Sequence, residues 1–251
     1  MIDPQAVPLS LYIHLPWCTR KCPYCDFNSH EGFTDSLQKP YVEALLADLD
    51  SQQAWWHDRP IESMFIGGGT PSLFEGRWLG ALLEGVSNRA TLSSHIEITL
   101  ESNPGSAESG RFAEYRAAGV NRLSIGVQSF DDRALKALGR LHSGKEARRA
   151  LDMVAATGFQ RWNIDLMHGL PGQDAQSEVS DLTEAVGRSA GHISWYQLTI
   201  ERNTRFWSTP PVLPSESELE SIQYAGEAIL ADAGLLPVSY THLRAHETKW
   251  H

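Results

Sequence analysis

Six times along this 251-residue chain a short apolar run is followed by a longer stretch of helical periodicity, and that alternation does most to narrow the folds open to it. Strands are expected at Ser10–His14, Ser63–Ile66, Ile96–Leu100, Arg122–Gly126, Trp162–Leu166 and Ser194–Thr199. Helices are expected near Pro40–Trp56, Gly76–Val86, Ser106–Ala117, Asp131–Ala155, Gln176–Arg188 and Ser215–Ala233, the last opened by the capping-box pattern Ser215-Glu216-Ser217-Glu218. Strands alternating with helices build a parallel sheet covered by helices, because a parallel crossover needs a helix-length connection. Six such units predict an α/β fold, an open, partial (βα)6 TIM-like barrel with its functional side chains at the C-terminal ends of the strands.

All three cysteines, Cys18, Cys22 and Cys25, lie in LSLYIHLPWCTRKCPYCDFNSH, directly after the first strand run. Pro16 and Pro23 oppose a helix there, so the thiols are expected on a loop that wraps its ligand. Three thiolates so close together suit soft-metal chemistry. A cubane [4Fe-4S] cluster usually takes four cysteines, so three would leave one iron open to a small chelating molecule. Zinc held by the three thiolates with His14 or His30 competes with that reading. An odd cysteine count without a secretion signal argues for reduced thiols.

The segment YIHLPWCTRKCPYCDF, with Tyr24 just before the last cysteine, resembles the signature of radical S-adenosylmethionine (SAM) proteins. More narrowly, it is similar to the branch containing oxygen-independent coproporphyrinogen III oxidases and HemW-type heme chaperones. The resemblance implies a [4Fe-4S] cluster on Cys18, Cys22 and Cys25, with SAM chelating the open iron and Tyr12 and Tyr24 beside it. It also implies an electron donor, since one-electron reduction of the cluster cleaves SAM to a 5′-deoxyadenosyl radical.

Further candidates sit at strand ends. Gly67-Gly68-Gly69-Thr70-Pro71 reads by itself as a tight turn or as a backbone cradle whose N–H groups could meet the methionyl end of a ligand. It matches the family motif, which assigns Gly68, Gly69 and Thr70 to SAM. Glu101, Gln128 and Arg140 follow the third and fourth strands, and the resemblance gives each a SAM contact, although Arg140 could equally form a surface ion pair. Asp165 falls inside a strand that reads as buried, so it needs a hydrogen-bonding partner, and it too is expected at SAM. His168 reads as structural, and of Trp195 and Tyr196 at least one should pack in the core because strand neighbours face opposite ways.

Coproporphyrinogen oxidases of this branch carry another cysteine where this chain has Phe27, whereas CDFNSH and WYQLTIERNT resemble the heme chaperones. The expected function is therefore heme binding and transfer to an acceptor protein. The oxidase, which converts propionates to vinyls on a tetrapyrrole, is the alternative, and a zinc-stabilised binding module a third.

With 31 acidic against 21 basic side chains and a net charge of −10, the chain lacks the electrostatic footprint of a nucleic-acid binder. Its N-terminus shows neither a signal peptide nor a membrane span, which points to the cytoplasm and allows peripheral membrane contact. Residues 1–236 are expected to form the radical SAM core. The tail, 237–251, departs from the family pattern and reads as foreign or truncated sequence, with the family's C-terminal domain absent. Its histidines, His242, His246 and His251, are a weaker hint of metal binding.

Overall fold

A computed structural model of the chain describes residues 7–56, 58–105, 109–188, 191–239 and 242–244. They divide into two compact units interleaved along the sequence. One takes the chain up to Arg20, Phe27–Ser102 and Gly110–Leu123; the other takes Lys21–Asp26, Asn103–Ser109 and Ser124 onward.

The first unit contains β1 (Leu9–Leu15), α1 (Gln38–Ser51), α2 (Gln53–Trp56), β2 (Ile61–Gly68), α3 (Gly76–Ser87), β3 (Leu92–Ser102) and α4 (Phe112–Ala118). β1 runs parallel to β2, with Leu15 opposite Gly68, and β2 runs parallel to β3, with Ile66 opposite Leu100. That register brings the cysteine loop after β1 and the glycine loop after β2 to the same end of the sheet. In α3 the buried residues Leu79, Leu82, Leu83 and Val86 recur at helical spacing and form its core-facing stripe. Leu15, Ile66 and Leu100 of the strands and Phe112 and Tyr115 of α4 are buried in the same unit. Gly119, at φ 112°, ends α4 in the left-handed conformation that a side chain would resist.

The second unit contains β4 (Arg122–Gln128, its first two residues counted with the first unit), α5 (Asp132–Ala137), α6 (Gly144–Thr157), β5 (Arg161–His168), α7 (Ala175–Arg188), β6 (His192–Gln197), α8 (Arg205–Ser208), α9 (Glu216–Asp232), β7 (Leu236–Ser239) and β8 (His242–Arg244). Its strand order is β4-β5-β6-β8-β7. β5 and β6 are parallel, whereas β8 pairs antiparallel with both β6 and β7. β4 is buried along its whole length. At Gly226 of α9 an added Cβ would lie 2.4 Å from the Trp195 ring, so glycine lets this helix close onto β6.

All six expected strands form, and five run beyond their expected limits. The sixth ends at Gln197 rather than Thr199, because Leu198 turns into an apolar cluster with Leu138, Met167, Leu170 and Phe206. The single helix expected over Asp131–Ala155 is two. Gly139 breaks it at φ 69°, where an added Cβ would meet Pro23 at 2.8 Å, and Ser143 restarts it with a capping box to Glu146. The helix expected at Pro40–Trp56 breaks at Gln52 into α1 and α2. Of the stretch Ser106–Ala117, positions 106–108 lie outside the described residues and the helix proper is α4. Within the expected tail, 237–239 and 242–244 lie in β7 and β8, while His246 and His251 lie outside the described residues. Among the described residues no helix is long and apolar enough to cross a membrane.

Candidate functional site

The cysteine loop contains no helix, as its prolines predict, and backbone hydrogen bonds tie its two ends together. Cys18 N–H donates to His30 O at 2.8 Å, and His30 N–H donates to Pro16 O at 2.7 Å. Trp17 anchors the entry, edge-on to Tyr41 at 4.5 Å between ring centres and 6.0 Å from Phe33 and from Phe74. Cys18 is buried beside this anchor, and all three cysteines are free thiols.

His14 links the strand to the far side of that loop. Its Nε2 lies 2.8 Å from Asn28 O, a group that can only accept, so Nε2 carries the proton. In the neutral ring Nδ1 then accepts from the Tyr12 hydroxyl at 3.0 Å. Burial, reinforced by the Glu101 carboxylate, holds the Tyr12 phenol above its usual pKa, so it stays protonated and able to donate.

Glu101 accepts the Gly68 N–H at 3.1 Å. Gly69 N–H donates to Leu15 O at 2.9 Å and Thr70 N–H donates to Trp17 O at 2.6 Å. The expectation that these amides face a ligand is therefore corrected: they bind the glycine loop to the start of the cysteine loop. The fit is close, since a Cβ on Gly69 would lie 2.5 Å from Trp17 O. Acceptors such as the Glu101 carboxylate, rather than N–H groups, are what this corner offers an ammonium.

In the second unit Cys25 N–H donates to Cys22 O at 3.2 Å, closing a tight turn around Pro23 and Tyr24. Pro23 O accepts the Phe206 N–H at 2.9 Å, and the Tyr24 ring packs 6.3 Å from that of Phe206. Arg140 places Nη1 3.5 Å from Cys22 Sγ, and its Nη2 donates to Asn103 Oδ1 at 2.5 Å and to Gly126 O at 2.9 Å. Its Nε is buried without a partner. Burial works against the guanidinium charge, but Tyr24 and Cys22 outweigh it and raise the Arg140 pKa. Burial likewise raises the Tyr24 phenol, opposed by Arg140 and reinforced by the two thiols. Arg140 thus serves the cysteine turn and not a surface ion pair.

Gln128 ends β4 at φ 69°, in the left-handed region, with its side chain almost fully buried. The Tyr196 hydroxyl donates to its Oε1 at 2.6 Å, which turns the amide so that Nε2 is the group left to donate. Asp165 has the partners that its place in the strand demands. Asn163 Nδ2 reaches its Oδ1 at 2.6 Å, and Ser124 Oγ reaches its Oδ1 and Oδ2 at 3.2 and 3.0 Å. A donor, Gln128, and an acceptor, Asp165, are thereby held by neighbouring strands of one sheet.

Sequence reasoning missed Asn163, Ser124 and Tyr196 as partners, although the two-residue step from Asp165 to Asn163 within WNIDL already put them on one face. His168, expected as a structural residue, is buried at the end of β5, and its Nδ1 finds no hydrogen-bond partner among the described residues. It stacks on Trp195 at 4.3 Å, and burial lowers its pKa to about 4. Trp195 packs in the core and its Nε1–H donates to Glu178 Oε1 at 2.7 Å. Burial pushes the fully enclosed Glu178 carboxyl up to about 8. Phe27 is 60% exposed.

Among the described residues no three Cys, His, Asp or Glu side chains already stand in metal-ligand geometry. The donor set nevertheless fits the cluster implied by the cysteine signature: three free thiols on a loop closed by its own backbone, one of them 3.5 Å from the guanidinium of Arg140.

Comparison with known proteins accords with this chemistry. The model of the radical SAM superfamily matches residues 12–183. The heme chaperone HemW of Escherichia coli is 51% identical over 227 residues, 90% of this chain and 60% of that protein. Mouse radical S-adenosyl methionine domain-containing protein 1, mitochondrial, is 38% identical over 235 residues, 90% of this chain and 52% of its own length. Among solved structures, the coproporphyrinogen III oxidase HemN of E. coli, a radical SAM enzyme, superimposes with a TM-score of 0.86 at 25% identity, covering 98% of this chain and 57% of that one. The chain spans about 60% of the length of the curated heme chaperones that it matches.

Proposed function

Because the chain belongs to the radical SAM superfamily, we propose that it is the barrel part of a heme chaperone, which binds heme and passes it to an acceptor protein. The α/β fold, with parallel strands in each unit, accords with the family's. The observation that carries the functional reading is the 51% identity to a heme chaperone over 90% of the chain. Phe27 supports it against the oxidase alternative, because the sulfur that distinguishes the oxidase pattern is replaced there by an exposed ring.

In this reading Cys18, Cys22 and Cys25 hold a [4Fe-4S] cluster, which when bound can pass one electron to SAM. The remaining roles belong to the protein. Arg140 stabilises negative charge on Cys22. Glu101 accepts from the SAM ammonium, with Tyr12, Gly68, Gly69 and Thr70 shaping that corner and Tyr24 walling the cysteine turn. Gln128 Nε2 donates to one ribose hydroxyl and Asp165 accepts from the other, as a vicinal diol requires.

The test is anaerobic reconstitution with iron and sulfide. The protein should turn brown with about four irons per chain, and its electron paramagnetic resonance spectrum should shift on adding SAM. Added heme should bind with a Soret band and move to an apo-acceptor, and coproporphyrinogen III should not be consumed under reducing conditions. Turnover of that tetrapyrrole would establish the oxidase instead, and colourless zinc-bound protein would reject both.

A further inference from the structure

Beneath Asp165 lies a layer of polar groups that neither the sequence pattern nor the comparisons assign. Asn163 is 1% exposed, and its Nδ2 lies 2.6 Å from Asp165 Oδ1, 2.8 Å from Ser124 Oγ and 2.9 Å from Ser194 Oγ. Ser124 and Ser194 are also buried. These residues come from three consecutive strands, β4, β5 and β6, with Asp165 directly opposite Ser194 in the ladder.

An amide nitrogen has two protons. The carboxylate, nearest and charged, takes one, and the two serine oxygens compete for the other. Ser124 then has its own proton to give to Asp165. Both carboxylate oxygens are thus gripped from below, one by an amide and both by a hydroxyl. The arrangement has a penalty: among the described residues Asn163 Oδ1 is buried without a hydrogen-bond partner. A β-branched apolar residue would suit a buried strand position without orphaning an acceptor. What only the amide supplies is the N–H aimed at Asp165.

We propose that Asn163 is a positioning residue for Asp165, fixing the carboxylate in the orientation that receives a ribose hydroxyl of SAM; this rests on the assignment of Asp165 to SAM given above. The experiment measures SAM affinity by equilibrium dialysis on anaerobically reconstituted protein from pH 6 to pH 9, with thermal unfolding alongside. Asp165→Asn should weaken SAM about tenfold, and Asn163→Ala about fivefold, the effect of one charged hydrogen bond.

Asn163→Asp, isosteric with the native residue, is the discriminating variant and also serves if the alanine form does not fold. Two carboxyls in hydrogen-bond contact share a proton, and while they share it the new side chain still donates to Asp165. SAM affinity of this variant should therefore be near that of the parent at pH 6 and fall as pH rises, while the parent stays level. Burial raises Tyr196, which is electrostatically linked to Asp165, well above this range, and the buried His192, two residues before Ser194 on β6, is common to parent and variants, so the parent's own pH profile is the reference for each. Parent-like affinity in both Asn163 variants, or a loss in Asn163→Asp that is independent of pH, would overturn the proposal while leaving Asp165 at SAM. Unchanged affinity in Asp165→Asn would remove the assignment of Asp165 and the inference with it.

Discussion

The hydroxyl of Tyr196 donates to Oε1 of Gln128 across 2.6 Å, and this bond decides which end of the Gln128 amide is left to donate. Gln128 sits at the end of β4 with φ 69°, so its backbone is already constrained and the amide rotation is the remaining freedom. Tyr196→Phe should release that rotation and weaken SAM binding about fivefold, equivalent to one hydrogen bond of about 1 kcal/mol, with little change in melting temperature. Equilibrium dialysis of parent and variant measures it.

Arg140 sits against Cys22 Sγ at 3.5 Å, its guanidinium also held by Asn103 Oδ1 and Gly126 O. Arg140→Gln removes a buried positive charge beside Cys22, a proposed cluster ligand, and so should disfavour the more negative, reduced state. The cluster's reduction potential should move to a more negative value, read by potentiometric titration of the paramagnetic signal, while the iron content stays near that of the parent.

Replacing Cys18, Cys22 or Cys25 singly by alanine should abolish the brown chromophore and most bound iron, because two thiolates do not hold a cubane. Phe27→Cys, by contrast, should leave the iron content unchanged. Iron and sulfide analysis after identical reconstitution checks both.

Gly69→Ala should destabilise the protein by at least about 2 kcal/mol, since its Cβ would lie 2.5 Å from a backbone oxygen, that of Trp17, which cannot swing aside as a side chain could. Denaturant unfolding of the iron-free protein measures this, and Gly172→Ala is not an equivalent control because its own φ of 75° brings strain.

Glu178 makes stability depend on pH. Its folded pKa, about 8, lies above the unfolded value of 4.5, so the folded state holds a proton that the unfolded chain has lost, and stability falls as pH rises through that interval. His168 and His142, both lowered to about 4 with burial as the main cause, act in the opposite sense, and their contribution is lost as pH falls from 6.5 toward 4. Between pH 6.5 and 8 Glu178 makes the largest change of these three, and each histidine adds a smaller, opposite gain as the unfolded chain, half-protonated there at pH 6.5, loses that proton. Relative to Glu178→Gln the parent should lose about 2 kcal/mol over this window, as followed by chemical denaturation of both proteins at each pH.

Much of this was legible in advance, for identifiable reasons. Strand and helix periodicities locate the βα units because burial on sheet faces and helix stripes leaves a repeat in the sequence, as Leu79, Leu82, Leu83 and Val86 show. The prolines around Cys18, Cys22 and Cys25 correctly predict a loop, and Asp165 correctly announces partners. What periodicity does not carry is the identity of those partners. Asn163 and Ser124 meet Asp165 from its own and a neighbouring strand, as Tyr196 meets Gln128 from a third, and only the folded sheet shows these pairings. The helix break at Gly139 escaped because a lone glycine in an otherwise helical pattern leaves two outcomes open, and the close approach of Pro23 selects one. The glycine loop's amides were assigned to a ligand because their carbonyl partners, Leu15 and Trp17, lie more than fifty residues earlier.

The two backbone bonds that join Pro16 and Cys18 to His30 run between main-chain N–H and C=O groups, which are not the sulfur donors of a cluster. The ring of chain they close is therefore expected to outlast the loss of iron, so oxidative damage to the cluster would empty a receptacle without dismantling it. Repair then requires only resupply of iron and sulfide, not refolding, and repeated cycles of bleaching and recovery should leave the circular dichroism of the protein unchanged.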